Sequence, residues 1–292
     1  MDIRAILMGL AFAFMWSSAF ASARIIVLAA PPLMALSIRF LISGLIAILV
    51  ARALGQRLAR GSIAWRPVII FGLCQNALYL GLNFLAMQWI EAGLAAIIAS
   101  SMPLLVAFAA WAVLRERLPL LGVMGLFAGF AGVTLIMGAR LSGGVDLLGV
   151  ALCVVGALGL AVATLTVRGA STGGNLLLVV GLQMLVGAAV LAPFALAFET
   201  WEVAWSWELV AAFVYTTLVP GLAATWMWFL LVGRIGATRA ATFHFLNPFL
   251  GVSIAAVLLG ERLGPLDLIG VAVIMAGILA VQMARAAPRT GG

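Results

Sequence analysis

Three groups of residues in this chain could do chemistry, and all of them lie inside long apolar stretches. The first centres on His244, the only histidine, three positions before Asn247-Pro248 and seven before Gly251. In a helix these positions share a face. Imidazole titrates near neutrality, and no Asp or Glu falls well inside an apolar stretch. His244 is therefore the one candidate for carrying a proton through the interior. A neutral, hydrogen-bonded histidine is the plainer reading of the same position. The second group is Arg39, followed by Phe40. An arginine at mid-depth costs about 2.5–3.5 kcal/mol on insertion scales. Each surrounding Leu, Ile or Phe contributes roughly −0.3 to −0.6 kcal/mol, so the segment still inserts. Arg39 could anchor a carboxylate, or it could cap carbonyls or snorkel toward Glu91 and the headgroups. The third group is polar and neutral. Asn76, Tyr79 and Asn83 follow a three-then-four spacing, Ser100-Ser101 precede Pro103, and Trp16-Ser17-Ser18 interrupt the first apolar stretch. A chamber between these faces would be mostly apolar, with aromatic walls and few hydrogen-bonding points. Such a chamber suits small amphiphilic organic molecules.

These residues need helices to hold them. Of 292 residues 66% are hydrophobic and 9% charged, which places most of the chain in lipid. Apolar runs long enough to span a bilayer are predicted near 5–28, 33–51, 67–88, 92–114, 119–138, 146–168, 175–198, 208–231, 237–260 and 265–284. The first run is long and carries no small-residue cleavage signal, so it reads as a retained helix. Pro103, Pro220-Gly221 and Pro248 each remove a backbone donor within a run. They free carbonyls that only protein or water can meet. The runs holding them are candidate bending elements beside a cavity, or simply static kinks.

The chain has a net charge of +7, all of its basic residues are arginine, and most lie between runs. Loop charge that orients a membrane protein explains this better than nucleic-acid binding. With the N-terminus inside, the cytoplasmic side holds Arg4, Arg52, Arg57, Arg60, Arg66, Arg115, Arg117, Arg168, Arg234, Arg239, Arg285 and Arg289 against Asp2 and Glu116. The outer side holds Glu91, Asp146, Glu199, Glu202, Glu208, Glu261 and Asp267 against Arg24, Arg140 and Arg262. The predicted topology is N-in and C-in. Cys74 and Cys153 both fall inside apolar runs and read as packing residues. With one histidine and no cysteine pair, no metal-ligand cluster and no cofactor are expected. No lysine occurs, which excludes a phosphate-cradling Gly-x-x-x-x-Gly-Lys loop and ATP hydrolysis by this chain.

The pattern is written twice. Pro103, Glu116-Arg117-Leu118, Gly125 and Gly132 recur 145 positions later as Pro248, Glu261-Arg262-Leu263, Gly270 and Gly277. Five runs per half is an odd number, so the second half must enter the bilayer from the opposite side. The expected fold is all-α and integral to the membrane, with ten transmembrane helices as two inverted five-helix repeats. The first repeat covers 1–140 and the second 141–284, and 285–292 forms a cytoplasmic tail. Such a fold supplies two near-equivalent packings, one open to each side, as alternating access requires. Gly125, Gly129, Gly132, Gly270 and Gly277 permit close helix approach, read as packing within a monomer in preference to a dimer interface.

These elements resemble the ten-helix, EamA-repeat branch of the drug/metabolite transporter superfamily. The resemblance rests on Pro32 followed by Arg39-Phe40, on Pro103 and Asn247-Pro248, and on the Glu-Arg-Leu turn with its glycine-rich helix in each half. Within that branch, size and layout are similar to bacterial amino-acid exporters, the YddG-type aromatic amino-acid exporters among them. The resemblance implies a secondary transporter in a bacterial inner membrane, exporting amino acids or related small metabolites. Nucleotide-sugar, sugar-phosphate and drug-type permeases share the fold. Rival readings are an integral-membrane enzyme, which lacks a catalytic cluster here, and a passive channel, which would need more polar residues along several helices.

Overall fold

In hydrocarbon only intrachain hydrogen bonds can satisfy the backbone, so about 20 apolar residues cross as a helix. The computed structural model describes residues 2–56, 64–113, 115–166 and 175–286. Among them ten helices are long and apolar enough to span. They are α1 (Ile3–Ala29), α2 (Pro32–Ala53), α3 (Trp65–Ala86), α4 (Ala92–Ala112), α5 (Leu120–Ser142), α6 (Leu147–Leu165), α7 (Leu176–Phe198), α8 (Trp207–Ile235), α9 (Arg239–Leu259) and α10 (Pro265–Arg285). No strand occurs among the described residues. Arg57, Arg60, Leu114, Arg168, Arg289 and the tail from 287 lie outside them.

The repeat mates α5 and α10 pack against each other and run antiparallel. A Cβ on Gly125 would lie 2.8 Å from the Gly277 carbonyl oxygen, and one on Gly132 would lie 2.8 Å from that of Gly270. The chain thus ascends α5 as it descends α10, with backbones too close for any side chain between them. The two Glu-Arg-Leu turns, which precede α5 and α10, therefore fall at opposite ends of this pair. Mates α2 and α7 repeat the arrangement, since Gly44 faces Gly181 while Ser37 Oγ donates to the Ala188 carbonyl. The glycine stripe read from sequence is an intramolecular seam.

Carboxylates and an amide close several helix ends. Both oxygens of Glu199 accept from Leu33 and Met34 N–H at the start of α2, and Gln56 Oε1 accepts from Leu178 N–H at the start of α7. A residue just past each mate thereby satisfies orphan donors of the other. Glu261 does the same for Ala92 and Gly93 at the start of α4. The turn before each Glu-Arg-Leu also repeats its backbone. Gly260 has φ 69°, and Arg115, 145 positions earlier, has φ 55°. Arginine bears a left-handed strain of roughly 1–2 kcal/mol there that glycine avoids.

Two compact units are present, and neither follows the repeats. The first comprises Met1–Ala21, Glu91–Leu147 and Ala223–Gly292; the second comprises Ser22–Ile90 and Leu148–Leu222. The first contains the α5–α10 and α4–α9 pairs, and the second contains α2–α7. The chain passes from one unit to the other inside α1, between Ala21 and Ser22, and inside α8, between Leu222 and Ala223.

Candidate functional site

Four of the helices break inside the membrane, and the breaks are related by the repeat. Residues Gly72–Leu80 of α3 wind as a π-helix, as do Val219–Ala223 of α8. Carried forward by 145 positions, the first interval contains the second. In α4 a turn at Ser101 precedes Met102-Pro103, and in α9 a 3-10 segment, Thr242–Leu246, precedes Asn247-Pro248. Proline cannot donate to the carbonyl four residues back, so the turn before it tightens or opens.

In the first unit that 3-10 segment presents His244. Asn247 Nδ2 lies 2.9 Å from His244 Nδ1, so with the amide in this orientation that ring nitrogen accepts and the proton sits on Nε2. Among the described residues Asn247 Oδ1 is buried without a partner. Ser17 Oγ donates to the Asn247 carbonyl at 3.5 Å. Three rings surround the imidazole: Phe12 edge-on at 5.2 Å, Trp16 edge-on at 6.3 Å and Trp228 tilted at 5.3 Å between centroids. Phe12 is buried, whereas Trp16, Trp228 and His244 are only partly so. The result is an aromatic wall with one imidazole and one amide as its polar points. Within this unit the charged groups on α1, α8, α9 and α10, which are Arg4, Arg234, Arg239, Asp267 and Arg285, lie near helix ends.

In the second unit the break in α8 organises the polar groups. Pro220 leaves the Thr216 carbonyl without its α-helical donor, and Arg39 Nη1 supplies one at 3.3 Å. Ser43, one turn along α2, donates to the Thr217 carbonyl at 3.4 Å. The Thr216 hydroxyl lies 2.7 Å from that of Ser22. The Arg39 guanidinium also faces Phe40 at 4.8 Å and Phe84 at 5.8 Å. A hydrogen bond from a charged donor contributes about 1.5–3 kcal/mol, and this one is long. Two ring faces add about 0.5–1 kcal/mol each. Together they offset the insertion cost, yet Nε remains buried without a partner among the described residues.

The neutral polar residues of α3 divide between two neighbours. Asn76 Nδ2 donates to the Gln183 carbonyl of α7. Asn83 donates to the Tyr79 carbonyl, and its Oδ1 accepts from Cys153 of α6 at 3.3 Å. All three, Asn76, Tyr79 and Asn83, are buried. The π-turn changes the angular step between 76 and 83, which is why a helical wheel puts them together. Ser100 bonds within its own helix, to the Ala96 carbonyl. Cys74 and Cys153 are free thiols.

Sequence reasoning missed Phe12, Trp228, Ser22, Ser43, Thr216 and Thr217. Phe12 stands one helical turn before Trp16, a spacing that was readable. The rest are defined only by what they meet across helices. It put Asp267 on the outer side, at the edge of the run 265–284, without foreseeing its burial. In the structure Asp267 is 5% exposed, within the first turn of α10. Arg140 neutralises it through Nε and Nη2 at 3.2 and 2.9 Å and reaches Glu91 through Nη1 at 2.7 Å. Glu91 is thus occupied by Arg140. Among the described residues no group of three His, Cys, Asp or Glu side chains is placed to hold a metal ion.

Ten spans, antiparallel repeat mates and paired breaks invite comparison with known proteins. Residues 3–138 and 147–283 each match the EamA-like transporter family. The chain belongs to that family. It is 28% identical over 254 residues to the uncharacterized transporter YvbV of Bacillus subtilis, covering 86% of this chain and 83% of that one. It is 24% identical over 260 residues to protein PecM of Dickeya dadantii, covering 86% and 83%. A crystal structure at 22% identity superposes with a TM-score of 0.68 over 97% of this chain and 99% of the other, which shows the shared fold. The EamA-like protein is therefore a multi-pass membrane protein, and its family and relatives' names indicate a transporter.

Proposed function

We propose that this EamA-like protein is a secondary carrier, not an enzyme, that exports small organic solutes, with amino acids, including aromatic ones, as the first candidates. It acts as a monomer in a bacterial-type inner membrane, with both termini cytoplasmic. The observation that carries the reading is the set of breaks in α3, α4, α8 and α9. Bending points at mate positions of an inverted repeat are what alternating access between two mirror packings needs. Each compact unit contains helices of both repeats. Motion of one unit would therefore not be motion of one repeat. The wall of Phe12, Trp16, Trp228 and His244 supports an apolar or aromatic cargo, because it offers large ring surface and few hydrogen-bonding points. His244 is the candidate proton carrier, and Asn247 orients it.

Counterflow in proteoliposomes tests this, with labelled amino acids, sugars, sugar phosphates and organic cations, with and without a pH gradient. Saturable counterflow of amino acids is expected. A linear, non-saturable flux would instead mean a channel, and turnover without net movement an enzyme. His244→Ala is expected to flatten the pH dependence of the initial rate. An unchanged pH profile retires the proton role.

A further inference from the structure

Resting on the carrier reading, we propose that the Nε–Nη2 edge of Arg39 receives the carboxylate of the transported solute. Two other arginines show how this chain uses a guanidinium when an acid is at hand. Arg140 turns its Nε–Nη2 edge to Asp267 and its Nη1 to Glu91. Arg234 turns the same edge to Asp2, with Nε at 3.0 Å and Nη2 at 2.5 Å from Oδ2. Arg39 uses Nη1 on the Thr216 carbonyl, while its Nε is buried with no partner among the described residues. Beside the guanidinium lie the rings of Phe40 and Phe84, which offer it no acceptor oxygen.

The charge cannot be removed, because arginine keeps its proton under all ordinary conditions. An unpaired cation within a spanning helix calls for an anion. The second unit offers none from its own described residues. Glu199 commits both oxygens to the start of α2, and Glu202 and Glu208 are exposed beside and within the first turn of α8. With no acid of this unit's described residues answering it, that anion is assigned to the solute. Two parallel N–H groups match the two oxygens of a planar carboxylate, a fit that a spherical halide lacks. Arg39 is 6% exposed, so the edge is closed in this conformation. Its Nη1 holds the Thr216 carbonyl, just ahead of the π-turn Val219–Ala223, and bending of α8 there opens the edge.

The test uses the intact chain in lipid nanodiscs and begins without any variant. Protection against thermal unfolding is measured for matched pairs, each L-amino acid beside its carboxamide and each simple monocarboxylate beside its amide. Chloride is titrated separately at constant ionic strength. At least one acid is expected to protect at concentrations about tenfold below those of its amide, and chloride alone is expected to give no shift. Arg39→Lys keeps the charge and loses the edge, and should cut that preference to below about threefold. Four results overturn the site: no acid protects; acid and amide protect equally in every pair; the preference survives in Arg39→Lys; or chloride protects as well as any acid. Counterflow separates this from the carrier reading. An acid preference without counterflow removes the carrier and keeps the site, and counterflow without the preference does the reverse.

Discussion

In the first unit the ionic and imidazole groups pair with side chains, Arg140 with Asp267 and Glu91, and His244 with Asn247. In the second unit, the Ser22–Thr216 and Asn83–Cys153 contacts apart, the donors are spent on backbone carbonyls. Arg39 donates to Thr216, Ser43 to Thr217, Ser37 to Ala188, Asn76 to Gln183, and Arg24 to Met87. The physical origin differs accordingly. Carbonyls of the second unit need donors where Pro220 breaks the ladder or where helices approach closely, and neutral or cationic donors serve equally well. In the first unit a carboxylate buried at the start of α10 needs a cation, and nothing neutral replaces it. Removing a partner should therefore cost more in the first unit than in the second.

Arg140→Ala should show the largest effect, a loss of about 3 kcal/mol in thermal unfolding in detergent, since Asp267 is left buried with the Gly264 N–H but without its cation. Adding Asp267→Asn should recover at least half of it. A loss too small to measure would erase the contrast between the units. Arg39→Met comes next, at about 1–2 kcal/mol, because it orphans only the Thr216 carbonyl. If this variant proved worse than Arg140→Ala, the order of the two units would be reversed. Pro248→Ala restores a donor at the break in α9 and should slow counterflow about tenfold, some 1.4 kcal/mol of barrier, with apparent affinity little changed. A pure affinity loss would assign Pro248 a static role in shaping the His244 wall.

The smallest effect concerns the exposed pair of Asp2 with Arg234. Hydrogen bonds from the Arg234 guanidinium, and then from the Ala5 amide, hold the Asp2 carboxyl below its ordinary range. A lowered folded pKa stabilises the fold at pH above the ordinary carboxylate value, about 3.9. That stabilisation is lost as pH falls through the lowered value. Asp2→Asn still caps α1, so near neutrality the melting temperature should drop by no more than about 2 °C. The difference from wild type should shrink below about pH 4. A difference that grew in acid would contradict the pairing.

Much of the architecture was readable because lipid leaves so few choices. Run length alone located ten spans, the paired Pro and Glu-Arg-Leu elements showed the repeat, and an odd helix number dictated antiparallel mates, as Gly125 against Gly277 bears out. The candidate site was only partly readable. His244 and Asn247 sit on one element and could be paired from spacing, whereas Trp228 reaches them from another helix. The π-helix Gly72–Leu80 contains no proline, so nothing local announced it, and the face assigned to Asn76 and Asn83 assumed a regular helix.

Composition and periodicity by themselves determined the spans, the inversion and the breaks at proline, since each follows from what one stretch of backbone can do in hydrocarbon. Tertiary structure decided which carbonyl each donor answers, which helices form a unit, and that the Nε of Arg39 meets no acceptor while Arg140 meets two carboxylates. Those outcomes depend on contacts between residues on different helices, and hydropathy along the chain carries no information about which apolar faces will meet.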